Sequence, residues 1–294
     1  MAVPRPIRRF PRRFGLLAAL SALIALVLGI VPAAASETAA SETAAPAALS
    51  VADRGTAGTK PTIVLVHGAF ADASGWNDVT ENLQKKGYPV YAFANPLRSV
   101  SGDAEYLRLF LSTIPGPLVV VGHSYGGFVV TNGATGNPNV KALVYIAAYA
   151  PDEGETILAA NALGGGHSDL GDHIIVRPYP GAPPGDADGY IDPAFFHDLF
   201  AQDLPRRQTA VMAASQRPAA VSLFVSPSGP PAWKTIPSWD VIGTEDHIIP
   251  PPLQEFMAKR AGSRVTDVKS SHLSLISHPK VVAGVIAAAA KHVH

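Results

Sequence analysis

The chain alternates short aliphatic runs with stretches whose apolar positions recur at helical spacing. Residues 62–66 (TIVLV) are β-branched or aliphatic throughout, which is typical of a strand buried on both faces of a parallel sheet. Trp76, Val79 and Leu83 follow at helical spacing, and Gly87 is suited to end that helix. The same alternation predicts further strands at 88–94, 118–121, 142–147, 239–243 and 264–268, and helices at 101–114, 126–135, 252–261 and 279–292. This order predicts an open, mostly parallel, doubly wound α/β sheet.

The alternation stops between about 151 and 237. This stretch is rich in Pro and Gly and contains only short helical patches, at 193–200 and 206–216. We interpret it as a cap of helices and loops inserted into one domain that spans 61–294. Such a cap lies over the carboxyl ends of the strands, where it excludes water and adds apolar wall to a ligand site.

The first 60 residues have a different composition. An arginine-rich start ends at Arg13, the run 16–31 is apolar, and the alanines 33–35 suit a cleavage site, so we predict that 1–35 are a secretory signal peptide. The arginine pairs in this start resemble a twin-arginine export signal. An uncleaved membrane anchor is the alternative; after cleavage we expect an extracellular protein without membrane contact. The repeated SETAA of 36–60 predicts a flexible, low-complexity leader.

Composition excludes several classes of function. The 294 residues are 47% hydrophobic and 16% charged, which allows a sizeable core. Five of the 23 basic residues and none of the 23 acidic ones lie in residues 1–35, so the remainder is mildly acidic and a nucleic-acid partner is not expected. The chain has no Cys, which excludes a disulfide framework, a thiolate nucleophile and a Cys-ligated metal.

Candidate chemistry lies just after the predicted strands, where α/β sheets bind their ligands. Gly122-His123-Ser124-Tyr125-Gly126 follows one strand and precedes a helix, forming a G-x-S-x-G pattern. Its glycines let strand and helix approach closely while a strained Ser projects outward. We interpret Ser124 as a nucleophile; the alternative is an ordinary Gly-rich turn with a capping Ser.

A serine nucleophile needs a base, and the base needs a partner that fixes its tautomer. His272 follows the strand at 264–268, and Asp246 follows the strand at 239–243. The chain order Ser124, Asp246, His272 is the order found in α/β-hydrolases. Other acids are poorer candidates, since Asp240 lies inside a strand, Asp267 is only five residues before His272, and Asp152 follows a different strand.

Together, these motifs resemble the serine-esterase branch of the α/β-hydrolases over residues 60–294. The resemblance rests on the segments VHGAF at 66–70, GHSYGG at 122–127, GTED at 243–246 and SH at 271–272. The short sheet and long cap are similar to the group that contains plant methylesterases and hydroxynitrile lyases. The resemblance implies an oxyanion hole made by the backbone N–H groups of Ala69 and Tyr125. Lyases of that group carry Thr and Lys where this chain has Gly68 and Leu273, and halide and epoxide hydrolases carry Asp at the elbow, so both are disfavoured.

We therefore expect a secreted serine hydrolase that cleaves a small, neutral, fairly apolar carboxylic ester or lactone through an acyl-enzyme, with no cofactor. Phe70, Phe196 and Trp233 are candidate substrate contacts, and the cap has no Arg or Lys cluster that would favour an anionic substrate. An acyltransferase, thioesterase or peptidase with the same triad is an alternative, as is a non-catalytic binding protein. No pattern predicts an oligomeric state.

Metal binding is not expected either. The candidate ligand sets are His167 with Asp169 and His173, and the terminal pair His292 and His294. Neither set is accompanied by a further ligand with helical or strand geometry, as is usual in protein metal sites.

Overall fold

The computed structural model describes residues 60–293, so the predicted signal peptide and nearly all of the predicted leader lie outside the described residues. The strands are β1 Thr62–Val66, β2 Val90–Phe93, β3 Leu118–His123, β4 Val140–Ile146, β5 Ile174–Arg177, β6 Asp188–Ile191, β7 Ala219–Ala220, β8 Ser238–Gly243 and β9 Arg264–Val268. The helices are α1 Asn77–Lys85, α2 Val100–Ser112, α3 Gly126–Gly133, α4 Ile157–Ala160, α5 Pro193–Phe200, α6 Arg206–Ala214, α7 Pro251–Ala261, α8 Ser274–Ser277 and α9 Pro279–Lys291. Short 3-10 turns at Ala73–Trp76, Leu170–His173, Val221–Phe224 and Ala232–Lys234 complete the described elements.

Six parallel strands form the main sheet in the order β2-β1-β3-β4-β8-β9. β3 and β8 are buried at every residue, and β1 and β4 at nearly every residue. Strands buried on both faces need cover on both sides, which the helix pairs α1–α9 and α2–α3 supply. The predicted α/β-hydrolase fold class is therefore confirmed, with a sheet that is parallel throughout.

Local sequence signals account for several helix ends. The Ser99 hydroxyl accepts a hydrogen bond from Gly102 N at 3.1 Å and so caps the start of α2. Gly262 ends α7 in the left-handed conformation, with a φ of 63°, which a residue without Cβ adopts at little cost. The predicted helix at 193–200 is confirmed as α5 without a change of bounds.

The cap contains more regular structure than the sequence predicted. Besides α5 and α6, it holds a three-stranded antiparallel sheet in the order β5-β6-β7. The expectation of helical patches and loops alone was wrong here, because these strands are short: β7 has two residues. A strand of that length leaves no period for a sequence pattern to show.

Within residues 60–293, none of the helices combines the length and the apolar character that crossing a bilayer requires.

Candidate active site

Ser124 stands on a sharp turn between β3 and α3. Its φ is 55°, a left-handed conformation that is uncommon for a residue with a side chain. The glycines make this turn possible: a Cβ at Gly122 would lie 2.7 Å from Gly126 O, and one at Gly126 would lie 2.6 Å from Val66 O. The turn therefore lies closer to β1 and to the start of α3 than any side chain at Gly122 or Gly126 would permit. This close packing holds Ser124 in its strained conformation.

Asp246 and His272 meet directly. Asp246 follows β8, His272 follows β9, and His272 Nδ1 donates a hydrogen bond to Asp246 Oδ2 at 2.7 Å. Both side chains are fully buried. Because a carboxylate accepts at Nδ1, the neutral imidazole carries its proton there and leaves Nε2 free to accept one.

The Asp246 carboxylate is itself fixed by its neighbours. Its Oδ1 accepts from the backbone N–H groups of Ile248 at 2.8 Å and Ile249 at 3.0 Å. Its Oδ2 also accepts from Gln254 Nε2 at 2.9 Å. The orientation of the imidazole therefore depends on a carboxylate that cannot easily rotate.

The imidazole of His272 lies between two other rings. Its centroid is 4.7 Å from that of His123 and 5.1 Å from that of Phe200. In the described part of the chain, Nε2 forms no hydrogen bond, so the bond between His272 and Ser124 is not made in this arrangement. Such bonds are often long in enzymes without substrate and tighten when it binds.

His123 supports the same loop. Its Nε2 donates to the backbone oxygen of His272 at 3.0 Å. Complete burial is the main cause that holds the pKa of His123 well below its usual value. It is therefore a neutral ring that fixes the backbone of His272.

Two backbone amides at the turn are available to a ligand. Among residues 60–293, the N–H groups of Ala69 and Tyr125 donate to no backbone or side-chain acceptor. Ala69, Ser124 and Tyr125 line the same small cavity, here called the inner cavity, of about 20 Å³. The arrangement fits an oxyanion hole, in which each donor is typically worth about 3 kcal/mol of barrier.

His67 positions the loop that carries Ala69. Its Nδ1 donates to Gly68 O at 2.9 Å and its Nε2 accepts from Asn95 N at 3.0 Å, which defines a neutral tautomer. Burial lowers the pKa of His67 to about 4. His67 is thus a structural residue of the oxyanion loop.

The three candidate substrate contacts are placed differently. Phe70 lines the inner cavity together with Tyr149, Phe200 and Leu223. Phe196 is buried in the cap, 5.0 Å from the ring of Phe200, and does not line the cavity. Trp233 also does not line the inner cavity. Its indole N–H donates to Pro151 O at 2.8 Å, and its ring faces Arg260. In this structure the last two residues are held by packing contacts away from the inner cavity, and their role as substrate contacts stays a prediction.

The alternative acids do not contact His272. Asp240 is buried in β8 with neither carboxylate oxygen hydrogen-bonded in the described chain, and burial raises its pKa well above the usual value. Asp152 pairs with Lys234 at 2.6 Å, and Asp267 lies exposed on β9.

The residues considered as candidate metal ligands do not converge on one point. His167 contacts Asp169 at 2.9 Å, whereas His173 stacks on Phe195 with ring centroids 3.8 Å apart. Within residues 60–293 no group of three or more His, Asp or Glu side chains has the geometry of a metal site; His294 lies outside that range.

Three contributors escaped the sequence analysis. Gln254 binds Asp246 from α7, and Asn95 binds His67. Asp103 of α2 accepts a hydrogen bond from the Tyr125 hydroxyl at 2.8 Å. Asn95 comes just after β2 but has no motif around it, and Asp103 and Gln254 lie in helices, so only spatial proximity reveals their roles.

Comparison with known proteins places the chain. A family model described as "Alpha/beta hydrolase family" matches residues 63–285. A carbendazim hydrolyzing esterase of Nocardioides sp. (strain SG-4G) is 30% identical over 109 residues, which are 33% of this chain and 45% of that protein, so the match spans less than half of the relative.

Solved structures share the fold at low identity. A pyrethroid hydrolase from Sphingobium faniae JZ-2 has a TM-score of 0.66 and 21% identity, covering 79% of this chain and 98% of its own. A methylesterase from Arabidopsis has a TM-score of 0.62 and 18% identity, covering 79% and 99%. With the family match over 63–285 and this geometry, the chain belongs to the alpha/beta hydrolase family.

Proposed function

We propose that the protein is a serine carboxylesterase that cleaves a neutral, fairly apolar ester or lactone. The observation that carries the proposal is the 2.7 Å bond between His272 Nδ1 and Asp246 Oδ2, beside a strained Ser124 whose cavity is also lined by Ala69 and Tyr125. The names of the similar proteins, an esterase, a pyrethroid hydrolase and a methylesterase, support ester hydrolysis. From the pattern of residues 1–35 we also propose that it is secreted and acts outside the cell.

In the first half-reaction, Ser124 Oγ attacks the ester carbonyl carbon while its proton passes to His272 Nε2. The carbonyl oxygen becomes an oxyanion and accepts hydrogen bonds from the N–H groups of Ala69 and Tyr125. Asp246 stabilises the imidazolium and keeps it oriented. When the tetrahedral intermediate collapses, the alcohol oxygen takes the proton from Nε2 and leaves, and the acyl group remains on Ser124.

The second half-reaction uses the same groups in reverse. Water gives a proton to Nε2 as it attacks the acyl carbon, and the second oxyanion occupies the same two N–H groups. Collapse breaks the bond to Ser124 Oγ, which recovers its proton from Nε2, and the acid leaves. A rotation of the Ser124 or His272 side chain must first bring Oγ and Nε2 into hydrogen-bond distance, because that bond is not formed in the structure.

The inner cavity favours an uncharged group. Its lining includes Phe70, Tyr149, Phe200, Leu223 and Ile248, and among residues 60–293 no Lys, Arg, Asp or Glu belongs to it. A charge placed there would lose its hydration without gaining a partner, which is costly. The acyl group of the substrate is therefore expected to be neutral and apolar.

Hydrolysis of p-nitrophenyl acetate and butyrate by the wild type and Ser124→Ala tests the proposal. We expect the variant to lose at least about 10³-fold in kcat, because it lacks the nucleophile. A fluorophosphonate should label the wild type and leave Ser124→Ala unlabelled. Ser112→Ala, which alters an exposed serine of α2, serves as the matched control. Undiminished turnover or labelling in Ser124→Ala would refute the assignment.

A further inference from the structure

A second cavity, here called the outer cavity, lies on the other side of the oxyanion loop. It has a volume of about 250 Å³ and extends between the residues after β1, helix α6 of the cap and the residues after His272. Its lining includes Asp72, Asn77, Gln208, Met212, Ser215 and Leu273. It is therefore larger than the inner cavity and, unlike it, presents many polar side chains.

Phe70 forms a wall common to both cavities. This residue lines the inner cavity beside Ser124 and also lines the outer cavity. Phe70 has a φ of 61° and is only 4% exposed. A bulky residue in the left-handed region costs free energy and persists only where the surroundings hold it or function requires it.

The size of the inner cavity shows that part of its lining must move before an ester can bind. About 20 Å³ accommodates roughly one water molecule, so an ester cannot bind at Ser124 in this arrangement. An ester has two arms, the acyl group and the alcohol group, on either side of the scissile bond. The outer cavity, at about 250 Å³, has room for one of them. Displacement of the Phe70 ring would join the two volumes and give the scissile carbonyl access to Ser124.

The surroundings of His272 indicate which arm of the ester occupies the outer cavity. The outer cavity is lined by Leu273, the residue directly after His272, and by His123, whose ring is 4.7 Å from that of His272. In the proposed reaction the departing alcohol takes its proton from His272, so the alcohol arm lies on the His272 side. The acyl arm then points towards the apolar inner cavity, which holds it only after the lining has moved.

We propose that the outer cavity is the alcohol subsite of the enzyme and that Phe70 controls access between the subsites. The lining of the outer cavity favours an alcohol arm that ends in neutral hydrogen-bonding groups. The side chains of Asn77, Gln208 and Ser215 can donate or accept hydrogen bonds to such groups. The carboxylates of Asp72 and Asp78 disfavour an anion there. The inference rests on the proposed esterase function, and it narrows the substrate class to esters with an apolar acid and a polar alcohol.

The test is a set of butyrate esters that differ only in the alcohol: methyl, hexyl and 2-(2-hydroxyethoxy)ethyl, the last two being of similar length. For the wild type, we expect a higher kcat/KM for the hydroxyethoxyethyl ester than for the hexyl ester. Phe70→Ala should raise the ratio of hexyl to methyl kcat/KM by roughly tenfold, because the wall is removed, and Phe70→Trp should lower it. Gln208→Leu should reduce the preference for the hydroxyethoxyethyl ester by about threefold or more, since the outer cavity loses a polar partner.

Phe195→Ala is the matched control, because Phe195 is exposed on α5 and lines neither cavity. If Phe70→Ala does not fold, Met212→Trp fills the outer cavity from the cap and should lower the hexyl-to-methyl ratio. The inference is overturned if the kcat/KM ratios between the butyrate esters stay at the wild-type value in these variants. It is also overturned if the variants change only the dependence of kcat/KM on acyl length, measured with a series of methyl esters. An active wild type and an inactive Ser124→Ala would in that case leave the esterase function standing.

Discussion

Asp246 accepts four hydrogen bonds, two on each carboxylate oxygen, and the two pairs of donors differ in kind. Oδ1 takes the backbone N–H groups of Ile248 and Ile249, and Oδ2 takes Gln254 and His272. An asparagine side chain at position 246 would direct its carbonyl oxygen towards the two backbone N–H donors. Its NH2 group would then face His272. The division of the bonds thus determines which tautomer the imidazole can adopt.

Asp246→Asn should for that reason reduce kcat by about 10⁴-fold, because the amide favours a proton on Nε2, where the base must be free. Steady-state kinetics with p-nitrophenyl butyrate measure the effect, and a thermal melt confirms that the variant is folded. Asp267→Asn is the control, since this exposed carboxylate of β9 is near His272 in sequence. If Asp267→Asn lost activity and Asp246→Asn retained it, the assignment of Asp246 as the acid of the triad would be contradicted.

Helix α3 approaches the loop after β4 more closely than a side chain allows. A Cβ at Gly127 would lie 1.9 Å from Tyr149 O and 3.0 Å from Tyr149 N. The obstacle is backbone on both sides, so the helix or the loop would have to shift. The loop carries Tyr149, which lines the inner cavity, and the helix begins next to Ser124. Packing of these two elements therefore shapes the site.

Gly127→Ala should lower the free energy of unfolding by about 3 kcal/mol or more, because the methyl group overlaps backbone that cannot rotate away. Urea denaturation followed by circular dichroism measures this change. Gly284→Ala is a matched substitution within α9, where nothing lies within 4 Å of the added Cβ, and it should be neutral or stabilise the protein by up to about 1 kcal/mol. Equal stability of the two variants would show that α3 is less closely packed than the structure indicates.

Elements with a full period of apolar residues were predictable, and those without one were not. β1 and α5 have the predicted bounds, because each carries a complete strand or helix pattern. β5, β6 and β7 were missed because they are short and become strands by pairing with one another. The same distinction holds at the site. Ser124 and His272 follow strands within motifs, whereas Gln254 and Asn95 acquire their roles through contacts between distant segments.

Across the whole molecule, the carboxyl end of the sheet is supported by buried imidazoles that must stay neutral. His67 binds Gly68 and Asn95, and His123 binds the backbone of His272. Burial is the first cause of the lowered pKa of both rings. A protein that keeps two uncharged histidines under its active site gives up stability when the medium becomes acidic enough to protonate them in the unfolded chain.

For His67 the size of that effect follows from its pKa of about 4 in the folded protein, against 6.5 for the unperturbed side chain. Above pH 6.5 neither state binds the proton; as the pH falls towards 4, the unfolded chain binds it and the folded protein does not, so the free energy of unfolding drops by about 3 kcal/mol. His67→Asn has no such proton, while His123 remains in both proteins. The stability advantage of the wild type over His67→Asn, measured by urea denaturation at pH 7, 6, 5 and 4, should therefore shrink by about 3 kcal/mol across that range. An advantage that stays constant would mean that His67 takes up its proton equally well in the folded protein, and hence that its ring is not held as the acceptor of the Asn95 N–H.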